Sequence, residues 1–92
     1  MELTQLKYFK VLAETENLTK TAEKLYLSTP ALSGSINRLE HELGMTLFDR
    51  SSGKNLKLND KGRVMLQAVN QILDTLNNAQ RVIQEMNKAE SA

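Results

Sequence analysis

The sequence predicts a mainly α-helical fold with one small β-hairpin and a long terminal helix. Three observations predict it. Apolar residues recur at three- and four-residue spacing through most of the chain. The pattern changes only between residues 47 and 58, around the turn-forming run Ser51-Ser52-Gly53-Lys54. From Met65 to Met86 an apolar residue then returns in a strict seven-residue repeat. With 92 residues the chain can form one small core, and is too short for two.

Taken in order, Leu3, Leu6, Phe9, Leu12 and Ala13 make one apolar face of a first helix, which Asn17 ends. Thr19 is an N-cap for a second, shorter helix running to about Tyr26, with Ala22 and Leu25 turned inward. Leu27 and Ser28 do not extend that pattern. A third helix restarts with Thr29 as cap and Pro30 at the first helical position, and it carries the stripe Leu32, Ile36, Leu39 and Leu43. Gly44 stands where a left-handed C-terminal cap belongs.

Leu47-Phe48-Asp49-Arg50 and Asn55-Leu56-Lys57-Leu58 are short runs with some alternation. They read as the two strands of a hairpin, a wing that must pack on the helices because a lone hairpin is marginal. Asn59 can cap the last helix, and Asp60 in its first turn suits the positive end of the helix dipole. Met65, Val69, Ile72, Leu76, Ala79, Ile83 and Met86 step by four and three, the mark of a coiled-coil seam. Leu66, Leu73 and Val82 widen the apolar face. A helix of about 30 residues is ~45 Å long, longer than the body before it. Part of it must find apolar surface elsewhere, and a second copy of the same helix supplies that surface. Its flanks, rich in Gln and Asn, carry no charge ladder that would set parallel or antiparallel pairing. The expected organisation is residues 1–58 as the body, 59–88 as the dimerisation helix and 89–92 as a disordered tail.

Composition excludes several classes of function. There is no cysteine, which removes disulfides, thiolate metal sites and thiol nucleophiles and fits a reducing cytoplasm, the expected location. His41 is the single histidine, flanked by Glu40 and Glu42 on a polar face, and nothing converges on it. A His/Cys zinc site cannot be assembled from one chain, and no cofactor or metal is expected. Twelve Lys and Arg against eleven Asp and Glu leave a net charge of +1. Residues 1–58 hold eight basic and seven acidic residues, and the remainder holds four of each. Any nucleic-acid function must therefore rest on arrangement rather than on bulk charge.

The arrangement is that of a helix-turn-helix, with a second member that starts on small polar residues. The major groove accepts one helix, whose N-terminal residues reach the base edges. Ser28, Thr29, Ser33, Gly34, Ser35 and Asn37 are the expected exposed positions, while Leu32, Ile36 and Leu39 hold the helix to the body. Thr19 and Lys20 can meet backbone phosphate. Arg50 and Lys54 on the wing can reach phosphate or the minor groove. Each feature also has a plainer reading. Helical pairs joined by short turns are common packing units. Arg38 and Glu42, four apart, can pair on a solvated face. Lys7, Lys10, Lys20 and Lys24 can be ordinary surface lysines.

Ala22-Glu23-Lys24-Leu25, Ser28-Thr29-Pro30-Ala31-Leu32-Ser33, Ile36-Asn37-Arg38-Leu39-Glu40-His41-Glu42-Leu43-Gly44 and Leu47-Phe48-Asp49-Arg50 together resemble the N-terminal domain of LysR-type bacterial transcription regulators. Leu58 through Gly62 is similar to that family's start of the linker helix. The resemblance runs from residue 2 to about 88. It implies a winged helix-turn-helix body, three helices plus the hairpin wing, followed by a linker helix that pairs antiparallel with its twin. It implies double-stranded DNA as partner, with Ser28, Thr29, Pro30, Ser33, Gly34, Asn37 and Arg38 on the reading helix. It implies dimers, with tetramers open to a full-length protein. It further implies a small-molecule effector bound by a larger C-terminal domain of periplasmic-binding-protein type, so that the chain is expected to be an excised fragment or a natural short form. The chain departs from the family where Thr29 and Ser35 replace a frequent Gln and Gly34 replaces a common Arg.

The expected function is therefore sequence-specific DNA binding without catalysis. The rival is a protein-interaction module whose helix-turn-helix has lost DNA affinity, favoured by the near-neutral charge and by Gly34. An enzyme finds no convergent carboxylates and no committed histidine.

Overall fold

The computed structural model describes residues 1–91, with the side chains of all but residues 51, 52 and 91. Its elements in chain order are α1 (Leu3–Thr15), α2 (Leu18–Lys24), α3 (Thr29–Leu43), β1 (Phe48–Ser52), β2 (Asn55–Leu58) and α4 (Asp60–Ser91).

α1 buries Leu6, Phe9, Leu12 and Ala13, the expected face, but Leu3 stays exposed at its start. The helix ends in a left-handed residue, Glu16 (φ 54°), whose N–H donates to the carbonyl of Leu12. Asn17 then starts α2 rather than ending α1. Its side chain accepts the N–H of Lys20 at 2.9 Å, so Asn17 is the cap expected of Thr19, which lies inside the helix. An Asn two residues before Thr19 satisfies the same free N–H groups, and the spacing of Leu18, Thr21 and Ala22 on the buried face selects that start.

The turn between α2 and α3 has a definite geometry. Tyr26 takes φ 57°, its N–H donates to Glu23, and the N–H of Leu27 reaches back to the carbonyl of Ala22 at 2.9 Å. This is a Schellman motif with a non-glycine residue in the left-handed position, closed by half-buried Leu27 against the core. α3 is capped by Ser28, whose hydroxyl accepts the N–H of Ala31 at 3.2 Å. Thr29, expected as the cap, is the first helical residue, and Pro30 follows in the first turn, where its missing N–H costs nothing. Gly44 closes the helix at φ 72°. Ser35, expected to be exposed, is buried: it falls beside Leu32 and Leu39, and its carbonyl accepts Gln5 Nε2 from α1 at 2.9 Å.

The wing strands pair antiparallel, Phe48 with Leu58, Asp49 with Lys57 and Ser52 with Asn55. Between the last two pairs β1 sets two residues, Arg50 and Ser51, against Leu56 alone, which makes a bulge. The free edge of β2 does not face solvent. The N–H of Leu56 donates to the Glu16 carbonyl and that of Leu18 to the Lys54 carbonyl, both at 3.0 Å, and Asn17 bridges Asn55. The Glu16 carboxylate accepts the N–H of Leu58 at 2.8 Å. The α1–α2 junction thus serves as a third, one-residue strand and covers the edge.

The core joins all of these elements. Phe9 of α1 and Phe48 of β1 meet edge to face, ring centres 5.6 Å apart. Leu12, Leu32, Ile36, Leu39, Leu47, Leu56 and Val69 are sealed around them. Val69 is the contribution of α4, fully buried against the body, with Met65, Leu66 and Leu73 packed beside it. This corrects the expected seam: Met65 and Val69 belong to the core of one chain, and the repeat is free only from Ile72 onward. α4 starts on the Asn59 cap, whose side chain accepts the N–H of Gly62 at 2.8 Å. It continues through residues 89–91, expected as tail, because Lys88, Ala89 and Glu90 include no helix breaker. Ala92, the last residue of that expected tail, lies outside the described residues.

Candidate nucleic-acid interface

α3 is held by one face and offers the other. Leu32, Ile36, Leu39 and Glu40 are buried, while Pro30, Asn37, Arg38 and His41 are exposed and Ser33 and Gly34 half-exposed on the opposite arc. At 100° per residue, positions 30, 33, 34, 37 and 41 lie within about a quarter-turn of one another. Ser33, Gly34 and Asn37 are among the positions expected from spacing, Pro30 is one that the family resemblance implies, and His41 has no expected role. Ser28 and Thr29 stand at the N-terminal end of this arc.

The wing touches both helices of the pair. Its turn, Gly53-Lys54, lies against the start of α2 through the bond from Leu18 to the Lys54 carbonyl, while the Lys54 side chain is exposed. Lys20 is exposed one helical turn away from Asn17. Thr19 is placed differently from the expectation: its hydroxyl oxygen is enclosed and has no hydrogen-bond partner, so it does not line the outer surface with Lys20.

Arg50 is joined to α3. Its Nη2 donates to Asn37 Oδ1 at 2.9 Å and to Glu40 Oε1 at 3.1 Å. Glu40 is 7% exposed, and the second oxygen of its carboxylate accepts the N–H of Leu47 at 2.7 Å. One buried carboxylate thereby ties the end of α3, the entrance to β1 and the arginine of the bulge. Sequence reasoning did not single out Glu40. The signal was present: an acidic residue four positions after Ile36 on an otherwise apolar stripe requires a partner.

The plainer reading of Arg38, a pair with Glu42, does not hold. Glu42 accepts from the amino group of Met1 at 2.8 Å. Arg38 is the only arginine among the described residues without a hydrogen-bond partner, and its guanidinium lies back along the helix over Gly34. A Cβ at position 34 would stand 3.5 Å from Arg38 Nη1. The missing side chain of residue 34 thus leaves room for a cation from the next turn. His41 is exposed, and among the described residues no group of three or more His, Cys, Asp or Glu could hold a metal ion. No helix among them is long and apolar enough to cross a membrane.

A half-exposed polar helix face, flanked by basic residues of a wing and a preceding helix, has the dimensions and donors to enter a major groove. Comparison with known proteins agrees with the geometry. Residues 3–63 match the family model described as bacterial regulatory helix-turn-helix protein, lysR family. The HTH-type transcriptional regulator BsdA of Bacillus subtilis (strain 168) is 37% identical over 86 residues, a match that covers 94% of this chain and 30% of BsdA. Among solved structures, the BenM DNA-binding domain in complex with catB site 1 DNA superposes with a TM-score of 0.89 at 31% identity, covering 98% of this chain and 96% of that one. The CbnR DNA-binding domain in its DNA complex gives 0.84 at 29%, covering 94% and 98%. The chain spans less than a third of BsdA but nearly the whole of both excised domains, and its helices, wing and long terminal helix correspond to theirs. The chain belongs to the lysR family of bacterial regulatory helix-turn-helix proteins.

Proposed function

We propose that the chain binds double-stranded DNA sequence-specifically as a homodimer and is the DNA-binding part of a transcription regulator. The observation that carries this reading is the end-to-end correspondence with domains crystallised on DNA, joined to a polar α3 face that is largely exposed among the described residues. In this reading α3 enters the major groove through Ser28, Thr29, Pro30, Ser33, Gly34, Asn37 and Arg38. Lys20 and Lys54 meet phosphates on either side. Residues 1–58 act as the reading body and residues 59–88 as the dimer arm. The arm pairs with its twin through Ile72, Leu76, Ala79, Ile83 and Met86, and the pairing sets the spacing of two half-sites. In a longer protein an effector domain would bias this dimer toward activation or repression.

Selection of bound sequences from a random duplex pool tests the proposal. The expected product is a two-part, roughly palindromic consensus, bound with an affinity that falls steeply as salt rises. Recovery of no consensus, or binding indifferent to salt, would instead indicate a protein-interaction module, since an apolar helix pair responds little to ionic strength.

A further inference from the structure

We propose that Arg50 acts as a positioning residue: it fixes the amide of Asn37 so that α3 presents hydrogen-bond donors alone at that point, which selects guanine. The inference rests on the reading that α3 faces the major groove.

A guanidinium has only donors, so the atom of Asn37 that faces Arg50 Nη2 at 2.9 Å is the carbonyl oxygen. The orientation of the amide follows from chemistry and not from its outline. Its NH₂ group points away and has no acceptor among the described residues, and Asn37 is exposed in the middle of the outer arc of α3. Left free, an asparagine reads adenine by accepting from N6 and donating to N7. Here one of the two lone pairs of the accepting atom is taken by a cation, whose charge also repels an incoming amino group. Guanine offers N7 and O6, two acceptors side by side, and suits the remaining donors. Thymine offers O4 alone. Adenine and cytosine each bring an exocyclic amino group against a donor.

Arg50 is itself held in place. The bulge in β1 turns it toward α3, and Glu40, buried and anchored by the N–H of Leu47, holds the same Nη2 at 3.1 Å. Nη2 is thus shared between Asn37 and Glu40, and in this proposal Arg50 acts through Asn37 rather than as a phosphate clamp. The sequence reading, which sent Arg50 to phosphate or the minor groove, could not see this pairing.

The test uses the chain with duplexes that wild type selects from a random pool. Asn37→Ala marks the base pair that position 37 reads: a preference for guanine of about tenfold there is expected to fall to near one. Arg50→Ala is expected to weaken preference at that same base pair and to admit adenine, with the slope of log affinity against log salt unchanged. The double variant is expected to match Asn37→Ala. Because Arg50→Ala also strands Glu40, melting is followed in parallel. Asn37→Asp, on the surface and away from the core, provides an independent arm: with acceptors alone it is expected to move the preference to cytosine. The proposal is overturned if Asn37→Asp leaves the base preference untouched. It is equally overturned if Arg50→Ala weakens binding to every sequence alike and flattens the salt slope by about 0.9, the mark of a lost phosphate contact. A wild-type chain that selects no sequence overturns the DNA-binding reading along with it, whereas a clear consensus unaffected at every position by Asn37 variants overturns this inference alone.

Discussion

Two glycines with the same side chain, or none, stand in opposite situations. A Cβ on Gly62 would lie 2.3 Å from the carbonyl oxygen of Leu47 and 2.5 Å from Leu58 Cδ1. The carbonyl is backbone and cannot withdraw, since it accepts the N–H of Asn59 at the mouth of α4. Gly62→Ala is therefore expected to destabilise the chain by about 1–3 kcal/mol, the usual range for overpacking, read as a lower midpoint in urea. Gly34 sits in the interior of α3, where the only near atom is Arg38 Nη1 at 3.5 Å, an ordinary contact. Gly34→Ala is expected to stabilise by ~1 kcal/mol, the difference in helix propensity. Folding therefore does not require a glycine at position 34. Gly34→Arg would add a second guanidinium beside that of Arg38, and should tighten general DNA binding and steepen the salt slope by roughly 0.9. If the bare backbone matters for the groove, the variant should at the same time bind the wild-type consensus less well. Equal gains on all duplexes would reject that role for the glycine.

At the scale of elements, periodicity made the helices legible and their caps were the weak point. The faces of α1 and α3, the Gly44 terminus, the Asn59 cap and the hairpin between residues 48 and 58 all follow from local pattern. Threonine propensity points to Thr19 and Thr29 as caps, yet Asn17 and Ser28 hold those places. The choice depends on where the chain enters from, which a propensity cannot encode. The candidate site divides in the same way. The outer arc of α3 could be read from the stripe opposite it. The Arg50–Glu40 pair could not, because it depends on a bulge and on a carboxylate ten residues away. The turn between α2 and α3 offers a test of how such features are weighed. Tyr26 holds a left-handed conformation that glycine adopts freely, and its side chain is 94% exposed with no packing to lose. Tyr26→Gly is expected to stabilise by about 0.5–1 kcal/mol as backbone strain is relieved. An unchanged or lower melting temperature would show that the tyrosine ring contributes to the turn.

At the scale of the molecule, one chain is 56 Å long and only 25 Å across its next axis, because α4 leaves the body. Its first three turns are part of the core, as Val69 at 0% exposure shows. Beyond them Ile72, Leu76, Ile83 and Met86 are 42–57% exposed along the same face, and Val82 stands beside them. Those residues have no partner surface among the described residues, and so long an apolar stripe is seldom left uncovered. The two halves of the repeat therefore make different predictions, although the sequence spaces them identically. Leu76→Glu puts a carboxylate where a second helix would enclose it, and is expected to split the dimer or weaken it by several kcal/mol, leaving each body folded. Val69→Glu puts the same carboxylate into the core and is expected to unfold the body itself. Sedimentation at micromolar concentration, with melting followed by circular dichroism, separates the two: Leu76→Glu should lower the mass and keep the helix signal of the body, while Val69→Glu should lose both. A wild-type chain that sediments as a monomer, or a Leu76→Glu chain that remains a dimer, would remove α4 as the dimer arm. The half-sites would then have to be spaced by another surface.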